Sequence, residues 1–176
     1  MAKKHGETAI ELYRLADDGI IPNNPTLPLI VYRAALPARA DLAHDLETLF
    51  AGNGWGGGWR NGIFAYHHYH SDAHEVLGIA SGEARVRFGG ESGESVTVYA
   101  GDVVVVPAGI GHKKESASAD LLVVGAYPDG RGPDLNTGKS GERPRVLDNI
   151  ARVALPKADP VFGPDGPLTE YWAATA

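Results

Sequence analysis

Residues 62–82 read GIFAYHHYHSDAHEVLGIASG, and a second stretch, residues 101–112, reads GDVVVVPAGIGH. The first holds His68 and His70, then Glu75 after four residues and Gly82 after six more; the second holds Gly101, Pro107, Gly109 and His112. Alternate side chains of a strand share a face, so His68 and His70 point the same way, with Tyr66, while His67 and Tyr69 point away. The four residues after His70 leave room for a turn or bulge, and Glu75 then opens the next strand, with Leu77 and Ile79 on its inner face. Pro107 and Gly109 end another strand and turn the chain, which brings His112 towards the same cavity. Three imidazoles and a carboxylate suit one divalent ion of Fe, Mn, Ni, Cu or Zn, with positions left for water or substrate.

Other residues compete for these roles. His74 adjoins Glu75 and faces the opposite side of a regular strand, but a bulge inverts the pair, so His74 is the alternative ligand. His67 reads as an outer-face residue, and His5 and His44 as surface histidines. Tyr66, on the ligand face, is the candidate catalytic residue, a proton donor or hydrogen-bond partner to substrate; the competing reading is a core aromatic.

Composition narrows the function classes. At 176 residues the chain is the size of one ordinary domain. A net charge of −6 without a basic run speaks against nucleic acid. The absence of cysteine leaves histidine and carboxylate as the available metal ligands. No apolar h-region opens the sequence and no apolar run reaches the roughly 20 residues that span a bilayer, so no membrane role is expected and the cytoplasm is the expected location.

Along the chain, Thr8 and Glu11 resemble a capping box ahead of a short helix carrying Leu12, Leu15 and Ala16, with Gly19 as its C-cap. A strand is expected over 29–34. A second helix follows Pro37, because Leu42, Leu46, Leu49 and Phe50 fall at helical spacing, and Gly52 ends it. GNGWGG, residues 52–57, fits G-x-G-x-x-G, but a helix precedes it and a strand follows, the reverse of a dinucleotide site. It reads as a flexible loop anchored by Trp55 and Trp59. From Ile63 the pattern is β: Ala84, Val86 and Phe88 alternate with charged residues, glycines mark a turn near 89–93, and Val96 and Val98 alternate again. Residues 103–106 are a valine run expected of a strand covered on both faces, and 120–127 supply another strand. Residues 128–145 are polar and rich in Gly and Pro, a surface loop. The remainder reads as an extended tail whose Val161, Phe162, Leu168, Tyr171 and Trp172 need a surface, their own barrel or a second subunit.

The two quoted stretches resemble both signature motifs of the cupin superfamily. Ser116 stands where the second motif usually ends in Asn. HHYHSDAHEVLGIASGEARVRFGG from His67, VVGAYPDG from Val123 and DPVFGPDGPL from Asp159 extend the likeness to the uncharacterised bacterial YjlB-like cupins. The resemblance implies an all-β, single-domain double-stranded β-helix (a jelly-roll barrel) with short N-terminal helices. It divides into an extension over 1–60 packed on the barrel, the barrel core over 61–127, and a loop and tail over 128–176. It implies a homodimer and a divalent metal held by His68, His70, Glu75 and His112. Fold does not fix reaction here. The first expectation is a metal-dependent protein acting on a small molecule, oxygenase- or isomerase-like; the alternative is a non-catalytic ligand-binding or sensing cupin.

Overall fold

Val103–Val106 is a strand buried on both faces, and the larger sheet is built around it. The computed structural model describes residues 3–174. In chain order its strands are β1 (Lys3–His5), β2 (Thr8–Tyr13), β3 (Leu29–Arg33), β4 (Trp55–Asn61), β5 (Glu75–Ser81), β6 (Glu83–Phe88), β7 (Glu94–Tyr99), β8 (Val103–Val106), β9 (His112–Ala117) and β10 (Leu122–Pro128). Its helices are α1 (Leu42–Gly52), α2 (Arg145–Arg152) and α3 (Pro167–Ala173). A seven-stranded antiparallel sheet runs β1-β2-β3-β8-β5-β10-β4, and a three-stranded one runs β7-β6-β9.

Period-2 alternation sorts the core. Leu29, Val31, Leu77, Ile79, Val104 and Val106 meet Ala84, Val86, Phe88, Val96 and Val98 between the sheets. Their neighbours Ile30, Tyr32, Val76, Val103 and Val105 face outward, where Leu42, Leu46 and Phe50 of α1 and Leu168 and Trp172 of α3 cover them. Gly78 makes the α1 contact possible: a Cβ there would lie 2.8 Å from Leu46 Cδ2. The all-β cupin architecture expected from the motifs is the one observed, as are α1 and the doubly covered valine strand.

Four local expectations are corrected. Residues 8–13 form β2 instead of a first N-terminal helix, so only one of the expected N-terminal helices exists. Ladder pairing with β3 (Glu11 opposite Val31) and the ion pair of Glu11 with Arg33 outweigh a short capping signal. The GNGWGG stretch is no loop beyond its first residues, because Trp55 is buried and opens β4 along the sheet edge against β10. The β pattern does not begin at Ile63: residues 62–74 run irregularly, held by isolated bridges His68↔His112 and Tyr69↔Asn136. The tail is not extended throughout, since α2 and α3 form within it. Its Val161, Phe162, Leu168, Tyr171 and Trp172 pack on the chain's own sheet, which answers what they cover.

Candidate metal centre

The ends of the two motifs are stitched together by main-chain hydrogen bonds. His68 N donates to His112 O (3.2 Å), His112 N donates to His68 O (3.0 Å), and Gly109 N donates to His70 O (2.7 Å). Glu75 opens β5 opposite Val106, the last residue of β8 before the turn that leads to His112. Register therefore brings two sequence-distant segments to one point. His68, His70, Glu75 and His112 come together there, and His68, Glu75 and His112 are buried. One nitrogen of each histidine lies within 4.8 Å of the others, so the three could hold a metal ion. Glu75 Oε2 lies 3.3 Å from His112 Nε2 and 3.5 Å from His70 Nε2.

Two observations test whether the residues fit an ion. Glu75 Oε2 is buried and has no hydrogen-bond partner, which in a native core calls for a missing cation or donor. Its separations of 3.3 Å from His112 and 3.5 Å from His70 lie in and just beyond the span of atoms sharing one ion: ligands about 2.1 Å from a centre at 90–109° stand about 3.0–3.4 Å apart. The ring tautomers agree. Nδ1 of His68, His70 and His112 faces the main-chain carbonyls of Tyr66, Asp134 and Ile110 respectively, so each Nδ1–H donates outward and each Nε2 lone pair is free to face the centre. The three histidines could hold a metal ion, and the Glu75 carboxylate stands beside two of them.

The electrostatics follow from burial and contact. Burial would raise the Glu75 carboxyl, but the His112 and His70 imidazoles hold it far below the usual carboxylate range. Burial would depress His70, yet the Glu75 carboxylate raises it above its ordinary value. His68 is pushed down to about 3 by burial and by the neighbouring His112.

His74 lies apart from the cluster, its ring 4.7 Å from that of Trp172 on the other side of the sheet. Its Nδ1 accepts the Ala108 N–H at 2.9 Å, so Nε2 carries the proton, beside the Ala154 main chain. Burial pushes it down to about 4. A histidine kept neutral by the fold protonates first in the unfolded chain, so its contribution is intact above pH 6.5 and is lost as pH falls towards 4. We expect the unfolding free energy of metal-free protein, read by urea titration, to fall across that window, by on the order of 2–3 kcal/mol from this residue. A His74→Asn variant should show a shallower decline, and a slope identical to the parent's would contradict the assignment.

Tyr66 stands outside the cavity. The chain bends at Ala65–Tyr66, and the ring is 47% exposed, stacked on Phe64 at 5.0 Å. Tyr127 of β10 instead faces the cluster, its ring 6.1 Å from that of His70. Its Oη accepts the Trp59 Nε1–H at 2.8 Å, and its own proton is turned towards the Glu75 carboxylate. Burial and the Glu75 charge push the Tyr127 phenol up, so it stays protonated. Trp59 reaches this position across Gly125, where a Cβ would lie 2.1 Å from the indole. The four clustered side chains line a cavity of about 360 Å³, together with Trp59, Phe64, Leu77, Lys114 and Tyr127. The sequence reading passed over Tyr127 and Asp134. Parity along β10 points to Tyr127, since it stands four residues after inward-facing Val123, whereas Asp134 lies in a stretch with no periodicity.

Residues 60–125 match the family described as cupin domain. The chain is 46% identical over 166 residues to the uncharacterised protein YjlB of Bacillus subtilis strain 168, covering 94% of this chain and 98% of that protein. Among solved structures it is similar to procruciferin, an 11S globulin from Brassica napus, at a TM-score of 0.39 and 15% identity; the match covers 87% of this chain but only 35% of the globulin. Acireductone dioxygenase from Bacillus anthracis, with a cadmium ion in its active centre, matches at a TM-score of 0.39 and 18% identity, over 60% of this chain and 82% of that one. Among the described residues no helix is long and apolar enough to cross a membrane.

Proposed function

This chain belongs to the cupin superfamily, and from that premise we propose a metal-dependent protein that binds one divalent ion through His68, His70, Glu75 and His112 and acts on a small molecule in the adjoining cavity. The observation that carries the reading is the group His68, His70 and His112 at the wall of a cavity of about 360 Å³, with Glu75 Oε2 buried and without a hydrogen bond beside two of the three rings. A closed structural site has no such room beside it; a reactive one keeps a position for water or substrate. The ion would supply Lewis-acid or, for a redox-active metal, electron-transfer chemistry, of the kind isomerases and oxygenases use.

The chain's own groups supply the rest. Trp59 fixes the Tyr127 hydroxyl through the Nε1–H···Oη bond, and the phenol proton, held towards Glu75, stands beside the histidine cluster as a proton donor for a bound small molecule. Leu77 and Phe64 line the cavity with apolar surface that excludes water. The main-chain carbonyls behind His68, His70 and His112 hold their rings in one tautomer.

The test uses cobalt(II)-substituted protein and azide. An open position next to the ion predicts a change in the visible spectrum that saturates with added azide. A cobalt spectrum indifferent to azide would mean a closed site and would sink the catalytic reading.

A further inference from the structure

The strands around the cavity treat their charges unequally. On the outer face of the small sheet, Arg85 and Arg87 both pair with Glu115, at 2.9 and 2.7 Å, and Lys113 pairs with Glu91. Lys114 is turned the other way. It stands opposite Val86, a core residue between the sheets, and two residues beyond His112, so both side chains face inward. Its main-chain N–H donates to Phe64 O at 2.8 Å, which ties β9 to the cavity rim. Lys114 lines the cavity, and its side chain makes no ion pair or hydrogen bond among the described residues.

Among the described residues, Lys114 and Glu75 are the only Lys, Arg, Asp or Glu lining this cavity, and Glu75 is committed to the histidine cluster. A divalent ion beside one carboxylate and one ammonium leaves the cavity with net positive charge, which nothing on its wall neutralises. Such a space selects anions. The rest of the wall carries Trp59, Ile63, Phe64 and Leu77 beside Asn61 and Tyr127, and its mainly apolar and aromatic surface suits an apolar body.

We infer that the ligand of this cavity is a small carboxylate with a short apolar or aromatic body, its carboxylate held by Lys114 and its reacting end turned to the ion. The inference rests on the metal reading above and sharpens it to a substrate class. Lys114 acts as the specificity-determining residue, because a neutral isostere of the acid leaves its ammonium unpaired in the cavity.

The experiment is calorimetric titration of the intact, metal-loaded protein with phenylacetate and with phenylacetamide, which share shape but not charge. The acid is expected to bind at least about tenfold more tightly than the amide, the range of a charged hydrogen bond. Lys114→Met is expected to remove that preference while metal content, measured on the same samples, stays at the parent level. Lys114→Arg should restore most of it. Equal binding of acid and amide, no binding of either, or an undiminished preference in Lys114→Met with its metal intact overturns the inference and leaves the metal reading standing. A wild type that takes up no metal overturns the metal reading instead. The acid preference of that metal-free protein, and its loss in Lys114→Met, then judges Lys114 separately.

Discussion

Trp172→Ala is expected to destabilise the protein by about 3–5 kcal/mol, the cost of emptying a large aromatic site in a packed core. Trp172 has no exposure, its indole N–H donates to Pro28 O at 3.0 Å, and its ring packs on His74. Removing it opens a cavity between α3 and the outer face of the large sheet and leaves the buried Pro28 carbonyl without that donor. Removal of everything after Ala126 should prevent folding altogether. Such a chain also loses Asp159, whose fully buried carboxylate accepts from Tyr32 Oη at 2.6 Å and from the main-chain N–H groups of Val161, Phe162 and Leu168. Urea unfolding of metal-free protein reads the first effect, and dispersion of backbone amide resonances reads the second. A Trp172→Ala loss below about 1 kcal/mol, within the range of a surface change, would contradict the packing described here.

Glu75→Gln is expected to lower metal affinity by about 100-fold or more, and to destabilise metal-free protein by a smaller amount, about 1–3 kcal/mol. The substitution keeps the shape and removes the one negative charge of the donor set. In metal-free protein that charge lies buried at 3.3–3.5 Å from two imidazoles, whose attraction outweighs its desolvation. The two readouts therefore differ in size: chelator competition should move strongly and the urea midpoint moderately. Unchanged metal affinity would remove Glu75 from the ligand set. Loss of metal-free folding altogether would mean that the carboxylate is structural.

Much of this arrangement was legible in the sequence because it rests on short-range periodicity. The valine run 103–106, the spacing of Leu42, Leu46 and Phe50, and the two motifs each state their environment within about twenty residues. What was illegible rests on distant partners. Residues 8–13 become a strand because β3 lies beside them, and Trp55–Asn61 because β10 does; neither partner is visible locally. α2 and α3 were hidden among prolines and charged residues, although Pro167 sits at the first turn of α3, a position that favours helix. Tyr66 was placed on the ligand face by a parity that the bend at Ala65 breaks. Lys114 and Tyr127 obey parity within their strands, and reading β9 and β10 for inward-facing polar groups would have found both.

The central claim is most directly tested by elemental analysis of untagged protein beside a His70→Ala/His112→Ala variant, both after reconstitution with divalent metals. The account predicts about one equivalent of a first-row metal in the parent and less than about a tenth of that in the variant. A parent without metal, or a variant that keeps its full equivalent, would contradict it.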